Sequence, residues 1–563
     1  MRAKTSGRTI VVVGGALAGP TAAARAREFD EAARIVLVER APHVSYAVGG
    51  LACQLSGEIQ PPDDATRDPA ALLQDSYRIE LRTGAHVQSI DATQRLVHLV
   101  DGVLRYDTLI YALGVQSPAP EIVGLLPADN VFALRTPRDL AGLQALIAAG
   151  ARRAVVLGGG YFGIEAADAL CRRGLAVTLV ERGAQLLPSF GRELAAMAAQ
   201  ALSDAGVTVR LDASVERAER AERGQRGARG GESLRALRLA DGTRLDTDLL
   251  VLATGVRPRS GLLARAGAAV TREGAVVVDA RCRTSLPHVF ACGTCVAVPP
   301  ALGDTPYWNP QAALADKTAQ VAGTNAGGGR ARLARPAGSA LVRAAALMLG
   351  RAGLTRREAK RQAGSAWASL VVHAPAQEAF YPGASPLTVE LLYDGQSGKL
   401  LGAELAGRHG VDKRLDVICT ALAGGLTVEA LAGLDLAYAA PYAAARDPLN
   451  VAASVASACR AELATPWSPE LLERRRGKAT LVDVRDTLSG GTIAGARHLP
   501  LTVLRERWAE VPAGTLVFID DDGRAAYLAA RLARHRGRAT AVFLAGGLRS
   551  WCAIGYPLTK ARA

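Results

Sequence analysis

The chain has 563 residues, too many for a single hydrophobic core, and its 49% apolar and 21% charged residues are typical of a globular protein. The net charge of +14 is carried mainly by arginines spread along the whole chain, which argues against a nucleic-acid partner. Eight cysteines without paired spacing, and no apolar run as long as a membrane span, predict a cytoplasmic protein with reduced thiols.

The first predicted unit is a strand, a glycine turn and a helix. The β-branched run 9–13 predicts a buried parallel strand, and the turn from Gly14 to Gly19 precedes the helix-forming stretch TAAARAREF. A second predicted strand ends in Glu39, 25 residues after Gly14. This is the order of a Rossmann βαβ unit, with Ala16 in place of the middle glycine. The helix N-terminus is expected to bind a pyrophosphate, and Glu39 the ribose hydroxyls.

The same pattern recurs further along the chain. A predicted strand, AVVL, leads into the turn from Gly158 to Gly163 and the helix IEAADALCRRG, and a later strand ends in Glu181. Two other apolar strands end at Gly114 and Gly255, where glycine lets the backbone pass close to a cofactor. The chain is therefore predicted to have two dinucleotide sites; the alternative is that one of them is only structural.

A charged segment and a cysteine pair follow. The densest arginine run, residues 217–229, is interrupted by Glu and Gly between two strand-like segments, so we interpret it as a solvated hairpin loop, with a polyanion contact as the alternative. The string Cys292-Gly293-Thr294-Cys295 has C-x-x-C spacing. Zinc would need two more ligands and no second pair exists, so no metal site is predicted. We interpret both cysteines as small residues packed beneath a cofactor; cofactor tuning or a redox-active pair are the alternatives.

Long ordered strings carry a resemblance to a known family. VVVGGALAGPTAAARAREFDEAARIVLVERAPHVSYAVGGL, AGSALVRAAALMLGRAGLTRREAK, FYPGASPLTVELLYDGQSGKLLGAELAGRHGVDKRLDV and LAYAAPYAAARDPLN resemble the pyridine nucleotide–disulfide oxidoreductases of the coenzyme A-disulfide reductase, NADH oxidase and persulfide reductase branch. After a proline-containing linker, TLVDVR, GARHLP, TLVFI and LAGG resemble the successive signatures of a rhodanese domain.

The resemblance implies an α/β fold class: two Rossmann-like dinucleotide-binding domains, an α+β dimerisation domain and a C-terminal rhodanese-like α/β domain. We predict an FAD-binding domain from residues 1–115 and 255–330, with an NAD(P)H-binding domain at 116–254. The dimerisation domain is predicted at 331–460 and the rhodanese-like domain at 461–563. The family's arrangement implies a homodimer.

The resemblance also assigns the cofactors, FAD at the first site and NADH or NADPH at the second. Glu181 favours NADH because a carboxylate repels a 2′-phosphate, while Arg182 beside it leaves NADPH open. The residues assigned to the FAD site are Gly14, Ala16, Gly19, Glu39, Arg40, Ser45, Val87, Ala112, Gly114, Gly293 and Thr294. Those assigned to the NAD(P)H site are Gly158, Gly160, Tyr161, Phe162, Gly163, Glu165, Glu181 and Gly255. Thr294 replaces the family's acid with a neutral oxygen, at a cost of about 1 kcal/mol.

Both signature cysteines of the resembling families are missing. The family's relay cysteine stands at a helix N-terminus, which favours the thiolate, in a Ser-Phe/Tyr-x-Asn-Cys-Gly-Leu string. Here the string reads SYAVGGL, with Gly49 at the cysteine position. Cys53 lies one helical turn further on; we interpret it as a core thiol, with a displaced redox role as the alternative. Asp520 takes the place of the rhodanese persulfide cysteine, so this domain is predicted to transfer no sulfur.

Three functions remain open at this point. The first is an oxidoreductase whose flavin passes electrons directly to oxygen, a quinone, or a small or CoA-linked substrate; the loss of both cysteines beside two retained nucleotide sites favours it. The second is thiol chemistry by Cys53 or the Cys292/Cys295 pair, and the third is a non-catalytic flavin-binding partner protein. In the family's dimer, Tyr381 and Tyr438 would stand beside the partner's flavin, although either could be a packing residue.

Overall fold

The computed structural model describes residues 7–59, 69–125, 127–220, 233–300, 305–363 and 366–560. The chain divides into two compact units. One consists of Met1–Ala184 with Ala205–Pro336, and the other of Gln185–Asp204 with Ala337–Ala563. Within the described ranges, no helix is long and apolar enough to cross a membrane.

The first unit contains two five-stranded parallel sheets. The strands of the first sheet, in spatial order, are Val289–Ala291, Thr108–Tyr111, Thr9–Val13, Arg34–Val38 and Glu80–Arg82. Those of the second are Thr208–Arg210, Ala176–Val180, Arg153–Leu157, Leu249–Leu252 and Val131–Phe132. The central strands are buried on both faces, which explains why their sequences are continuous β-branched and aliphatic runs rather than alternating ones.

Helices and small sheets complete this unit. Its helices are Ala18–Phe29, Gly50–Ser56, Pro69–Ala71, Leu72–Ser76 (a π-helix), Pro137–Ala148, Tyr161–Arg172, Gly261–Arg265, Gly293–Cys295 (a 3₁₀ helix) and Ala312–Ala326. The smaller sheets pair Val87–Asp91, Leu96–Leu99 and Gly102–Arg105; Val115–Gln116 and Arg257–Pro258; Val276–Val277, Val296–Val298 and Tyr307–Trp308; and Val215–Arg220, Leu234–Leu239 and Arg244–Asp246. The strands Val215–Arg220 and Leu234–Leu239 pair antiparallel, as a hairpin requires. Residues 217–220 of the arginine-rich run belong to the first of these strands and not to a loop, and residues 221–229 lie outside the described residues.

The second unit contains one antiparallel and one parallel sheet. The antiparallel sheet runs Ala340–Ala344, Leu347–Gly353, Leu400–Gly407, Pro386–Asp394 and Trp367–Pro375. The parallel sheet runs Pro466–Trp467, Val542–Leu544, Leu516–Ile519, Thr480–Asp483 and Arg497–His498. The helices of this unit are Arg192–Asp204, Arg356–Ala363, Val411–Gly424, Val428–Ala432, Pro448–Arg460, Pro469–Arg475, Arg476–Lys478 (3₁₀), Leu501–Leu504, Trp508–Glu510 (3₁₀), Arg524–His535 and Gly547–Ala553.

The helix Arg192–Asp204 belongs to the second unit, although the chain segments before and after it belong to the first. It joins two strands of the second nucleotide sheet along the chain, within the domain predicted at 116–254, yet it lies in the second unit. There it packs against the antiparallel sheet and the helix Gly547–Ala553, with Leu194, Ala195, Ala198 and Leu202 fully buried. The predicted domain boundaries remain predictions.

Candidate functional site

The first glycine turn brings backbone segments too close together for any side chain. Gly14 has a φ of 113°, and a Cβ on it would lie 2.4 Å from the carbonyl oxygen of Ala112. A Cβ on Gly19 would lie 1.7 Å from the carbonyl oxygen of Gly14. The helix that starts at Ala18 has no side-chain cap and no acidic residue in its first turn. Its N–H groups are therefore available to an anion such as a pyrophosphate.

The second turn repeats this geometry almost atom for atom. A Cβ on Gly158 would lie 2.3 Å from the carbonyl oxygen of Ala253, and one on Gly163 would lie 1.8 Å from that of Gly158. In contrast, a Cβ on Gly160 would meet nothing within 4 Å. Because Ala16 occupies the matching position of the first turn, this open space explains how alanine fits there.

Each turn is matched by one carboxylate held by two backbone N–H groups. Glu39 accepts from Gly15 at 2.6 Å and from Ala41 at 2.7 Å. Glu181 accepts from Gly159 and from Gly183, both at 2.7 Å. These bonds orient each carboxylate at the carboxyl end of a strand. Each oxygen retains a second acceptor position for a ribose hydroxyl.

The carboxyl ends of two adjacent strands form the other end of the first site. Gly114 and Gly293 both have positive φ, 65° and 87°. A Cβ on Gly114 would lie 3.1 Å from Oγ1 of Thr294, whose carbonyl accepts from the indole N–H of Trp308 at 2.8 Å. This places Ala112, Gly114, Gly293 and Thr294 at one edge of the sheet, so the residues present fit an extended dinucleotide such as FAD.

The remaining predicted FAD residues lie around the same turn. Ser45 has a φ of 56°, and its N–H donates to the carbonyl of Gly15 at 2.8 Å. The N–H of Ala85 donates to the carbonyl of Glu39 at 3.0 Å, which brings the backbone preceding Val87 to the edge of the site. The side chain of Val87 is itself buried in the core.

Two cationic side chains near the predicted Arg40, those of Arg135 and Arg259, were not predicted from the sequence. The guanidinium of Arg135 stacks on the ring of Phe162, 4.7 Å from its centroid. Burial and the charge of Arg259 lower the pKa of Arg135, and burial and Arg40 lower the pKa of Arg259. These three guanidiniums form no ion pair with any residue that the structure describes. No motif marks Arg135 or Arg259, since only the fold brings them together.

A small cavity opens beside Gly49, the residue that the sequence predicts to stand at the family's relay-cysteine position. It is lined by Val48, Ala52, Ala133, Leu134, Phe162, Glu165, Val251 and Ala253. Gly49 precedes the helix Gly50–Ser56 with φ −64° and ψ −23°, a conformation open to any residue. A Cβ on Gly49 would meet nothing within 4 Å, so the backbone does not require glycine there.

The three cysteines of this unit that the sequence singles out, Cys53, Cys292 and Cys295, differ from a relay thiol in position or environment. Cys53 lies inside the helix Gly50–Ser56 and is partly exposed. Cys292 and Cys295 are completely buried free thiols. Burial raises the pKa of Cys292 well above its ordinary value and that of Cys295 to about 11. Both are therefore neutral thiols at neutral pH, which are poor nucleophiles.

In the second unit, Tyr381 and Tyr438 lie on two segments that are fastened together. Gln377 donates to the carbonyl of Pro441 at 3.2 Å, and the N–H of Ala445 donates to Glu378 at 2.8 Å. A buried ion pair between Arg414 and Asp447, at 2.9 Å, supports the same segments. Tyr381 is half-buried and Tyr438 is 53% exposed. Two further aromatic side chains of these segments, Phe380 and Tyr442, are 77% and 74% exposed.

In the loop after the strand Leu516–Ile519, the carboxylate of Asp520 is hydrogen-bonded to backbone N–H groups of the same loop. Asp520 is buried and accepts from the N–H groups of Gly523 at 2.6 Å and Ala525 at 2.8 Å. Burial and the neighbouring Asp522 raise the pKa of Asp520 to about 6. The side chain therefore uses the backbone donors at this helix N-terminus for itself.

Comparison with known proteins identifies the families that the chain resembles. The model of the family described as pyridine nucleotide-disulphide oxidoreductase matches residues 8–322, more than half of the chain. The dimerisation domain of the same family matches residues 342–447, and a rhodanese-like domain matches residues 468–554. These matches confirm the predicted fold class and the predicted family.

Individual relatives cover from about four-fifths to nearly all of the chain. The NADH oxidase of Methanocaldococcus jannaschii is 27% identical over 453 residues, 79% of this chain and 97% of that protein. The crystal structure of reduced Bacillus anthracis CoADR-RHD superposes with a TM-score of 0.90 at 30% identity, covering 98% of both chains. The NAD-dependent persulfide reductase of A. fulgidus gives a TM-score of 0.88 at 30% identity, covering 96% of this chain and 100% of that one.

Proposed function

Because the chain belongs to the pyridine nucleotide-disulphide oxidoreductase family, we propose that its flavin passes electrons directly to a small-molecule acceptor without a cysteine relay. The chain is an NAD(P)H-dependent flavin oxidoreductase, and its cofactors are FAD and NAD(P)H. When bound, FAD accepts hydride from the nicotinamide and delivers electrons onward. The part left to the protein is to hold both dinucleotides and to admit the acceptor.

The observation that carries the proposal is Gly49. It stands at the relay position, at the start of a helix and beside the cavity that Val48 lines, and it has no side chain to offer. In the family's disulfide reductases, the relay thiol is the group that passes electrons from the flavin to the disulfide acceptor. Without one, oxygen, a quinone, or an activated bond of a small or CoA-linked substrate is the favoured class of acceptor.

The other cysteines support the same proposal. A substitute relay needs a thiolate beside the flavin. Cys292 and Cys295 stay protonated because they are buried, and Cys53 lies four residues beyond Gly49, about 6 Å along the helix. Similar proteins are named as an NADH oxidase and as a persulfide reductase, so the acceptor screen includes both oxygen and CoA disulfide.

We also propose that the protein works as a homodimer whose two copies share each active site. The match to the family's dimerisation domain and the exposed aromatic residues Phe380, Tyr438 and Tyr442 support this. Large apolar side chains grouped on a surface favour burial against a partner. Tyr381 and Tyr438 would then lie beside the partner's flavin.

An anaerobic titration with NADH, followed by an acceptor screen, tests the proposed function. One equivalent of NADH should take the flavin fully to its reduced form, with no long-wavelength absorption from a thiolate beside the ring. Electrons should then pass to oxygen or a quinone faster than to CoA disulfide. A thiolate absorption that disappears in Cys53→Ser or Cys292→Ser would instead establish a CoA-disulfide or persulfide type of reductase with a displaced cysteine.

A further inference from the structure

Two buried carboxylates face each other in the second unit, outside every residue assigned to the nucleotide sites. Glu390 and Glu404 lie on the adjacent strands Pro386–Asp394 and Leu400–Gly407, directly opposite each other in the antiparallel register. Their side chains therefore project from the same face of the sheet. The exposed fractions of the two residues are 1% and 2%.

A third segment closes over both carboxylates. The N–H of Gly191 donates to Oε2 of Glu404 at 2.6 Å. A Cβ on Gly191 would lie 3.0 Å from Oε2 of Glu390 and 3.3 Å from Oε2 of Glu404. Both carboxylates thus approach the same point of the backbone, immediately before the helix Arg192–Asp204.

Only one of the two carboxylates forms an ion pair with a described residue. Arg356 forms an ion pair with Glu390. For Glu404, the bond from Gly191 is the only side-chain hydrogen bond that the described residues supply. Arg351 lies opposite Glu404 on the next strand, but its guanidinium donates to the carbonyl of Gly353 at 3.0 Å and stands 3.9 Å from Glu358.

Further ionisable groups surround the pair from the neighbouring elements. Glu193 of the helix Arg192–Asp204 and Glu470 of the helix Pro469–Arg475 both act on Glu390. Glu193 accepts from the hydroxyl of Ser550 at 2.6 Å, and Nε2 of His373 lies 3.0 Å from that hydroxyl and 3.4 Å from Glu193. A cavity of about 40 Å³, lined in part by Glu193, Arg356 and Glu470, is large enough for water.

Two buried carboxylates whose oxygens both lie within 3.3 Å of one Cβ position are strongly unfavourable as two charges unless one of them is neutralised. Burial raises the pKa of Glu390, although Arg356 opposes the shift. Burial and the charge of Glu390 raise the pKa of Glu404 to about 8, above the ordinary value of 4.5. A proton on Glu404 removes the repulsion between the two carboxylates.

We propose that Glu390 and Glu404 share one proton at neutral pH and form a proton-dependent lock that holds residues 191–204 on the antiparallel sheet. In alkaline solution the proton is lost to hydroxide in the solvent, and both carboxylates become charged. Their repulsion then weakens the contact with Gly191. Glu193 of the same segment accepts a hydrogen bond from Ser550 of the rhodanese-like domain, so weakening the lock also weakens the contact of this segment with that domain.

Thermal unfolding of the full-length flavoprotein at different pH values tests the lock. Since the folded pKa of Glu404 lies above 4.5, its contribution to stability is full below about pH 4.5 and is lost as the pH rises through about 8. Between pH 6.5 and 9 the midpoint of the wild-type protein should fall by roughly 2–4 °C more than that of Glu404→Gln. Glu429→Gln is the matched control because Glu429 forms an exposed ion pair with Arg460, and it should keep the wild-type slope. A wild-type slope in Glu404→Gln would overturn the proposal.

Two measurements complement the unfolding curves. The infrared spectrum of the wild-type protein should show a protonated carboxyl at pH 7 that titrates away near pH 8, and this does not depend on a variant that folds. Hydrogen exchange at pH 9 should be faster over residues 191–204 in the wild type than in Glu404→Gln, and equal at pH 6.5. The absence of the carboxyl signal, or equal exchange at pH 9, would contradict the lock.

Discussion

At the residue scale, Gly49 is the position at which we propose that this chain departs from the disulfide reductases of its family. Its helical backbone and the empty space around its missing Cβ leave room for a cysteine. We therefore predict that Gly49→Cys folds normally and acquires a thiolate–flavin absorption at long wavelength after two-electron reduction, since the helix N-terminus favours the thiolate. Gly49→Ser, similar in size but without a thiol, is the control and should stay free of the band. The prediction is wrong if the wild-type protein already shows this long-wavelength absorption.

Glu181 is a second residue at which we expect one substitution to have a measurable consequence. Its carboxylate is fixed by the N–H groups of Gly159 and Gly183 where the ribose of a nicotinamide dinucleotide would bind. We predict that the wild-type protein prefers NADH and that Glu181→Gln improves kcat/KM for NADPH about tenfold, because removing a charge near a 2′-phosphate is worth about 1.4 kcal/mol. Arg182→Ala should act in the opposite direction. Unchanged selectivity in both variants would remove the role assigned to Glu181.

At the element scale, the loop from Asp520 to Ala525 shows how one side chain changes the use of a helix N-terminus. The buried carboxylate takes the N–H groups that would otherwise face an anionic ligand. The full-length protein is therefore expected to transfer no sulfur from thiosulfate to cyanide. Asp520→Cys frees the same donors, and mass spectrometry should detect a persulfide on the new cysteine after incubation with thiosulfate. Asp522→Cys, on the same loop, is the control that should remain unmodified. Sulfur transfer by the wild-type protein would contradict the assignment of Asp520.

At the scale of the whole molecule, the exposed aromatic side chains of the second unit predict self-association. Phe380 and Tyr442 have about three-quarters of their surface open to solvent, and Tyr438 about half. Light scattering should show a homodimer, and the double variant Phe380→Ala with Tyr442→Ala should shift it toward monomer. Val103→Ala, at a 53% exposed site of the other unit, should remain dimeric. A monomeric wild-type protein would disprove the prediction.

Local patterns in the sequence were sufficient for the two nucleotide turns. In each motif the terminal acid follows the first glycine of the turn within about 25 residues. The first and last glycines of each turn, as at Gly14 and Gly158, are required by clashes with backbone atoms. The absence of a thiol at positions 49 and 520 is likewise visible in the sequence, because the residue type alone shows that Gly49 and Asp520 have no sulfur atom.

Only the tertiary structure decided which distant residues share an environment. Arg135 stacks on Phe162, and the charge of Arg259 lowers its pKa. Gly191 lies close to Glu390 and Glu404, although about 200 residues separate it from them in the sequence. Burial is the physical reason. An isolated Glu in a sequence predicts a solvated charge, and its protonation changes only when a register pairing and a neighbouring segment exclude water around it. The sequence by itself determined the family and both nucleotide motifs, whereas the buried charge clusters exist only because the chain folds back on itself.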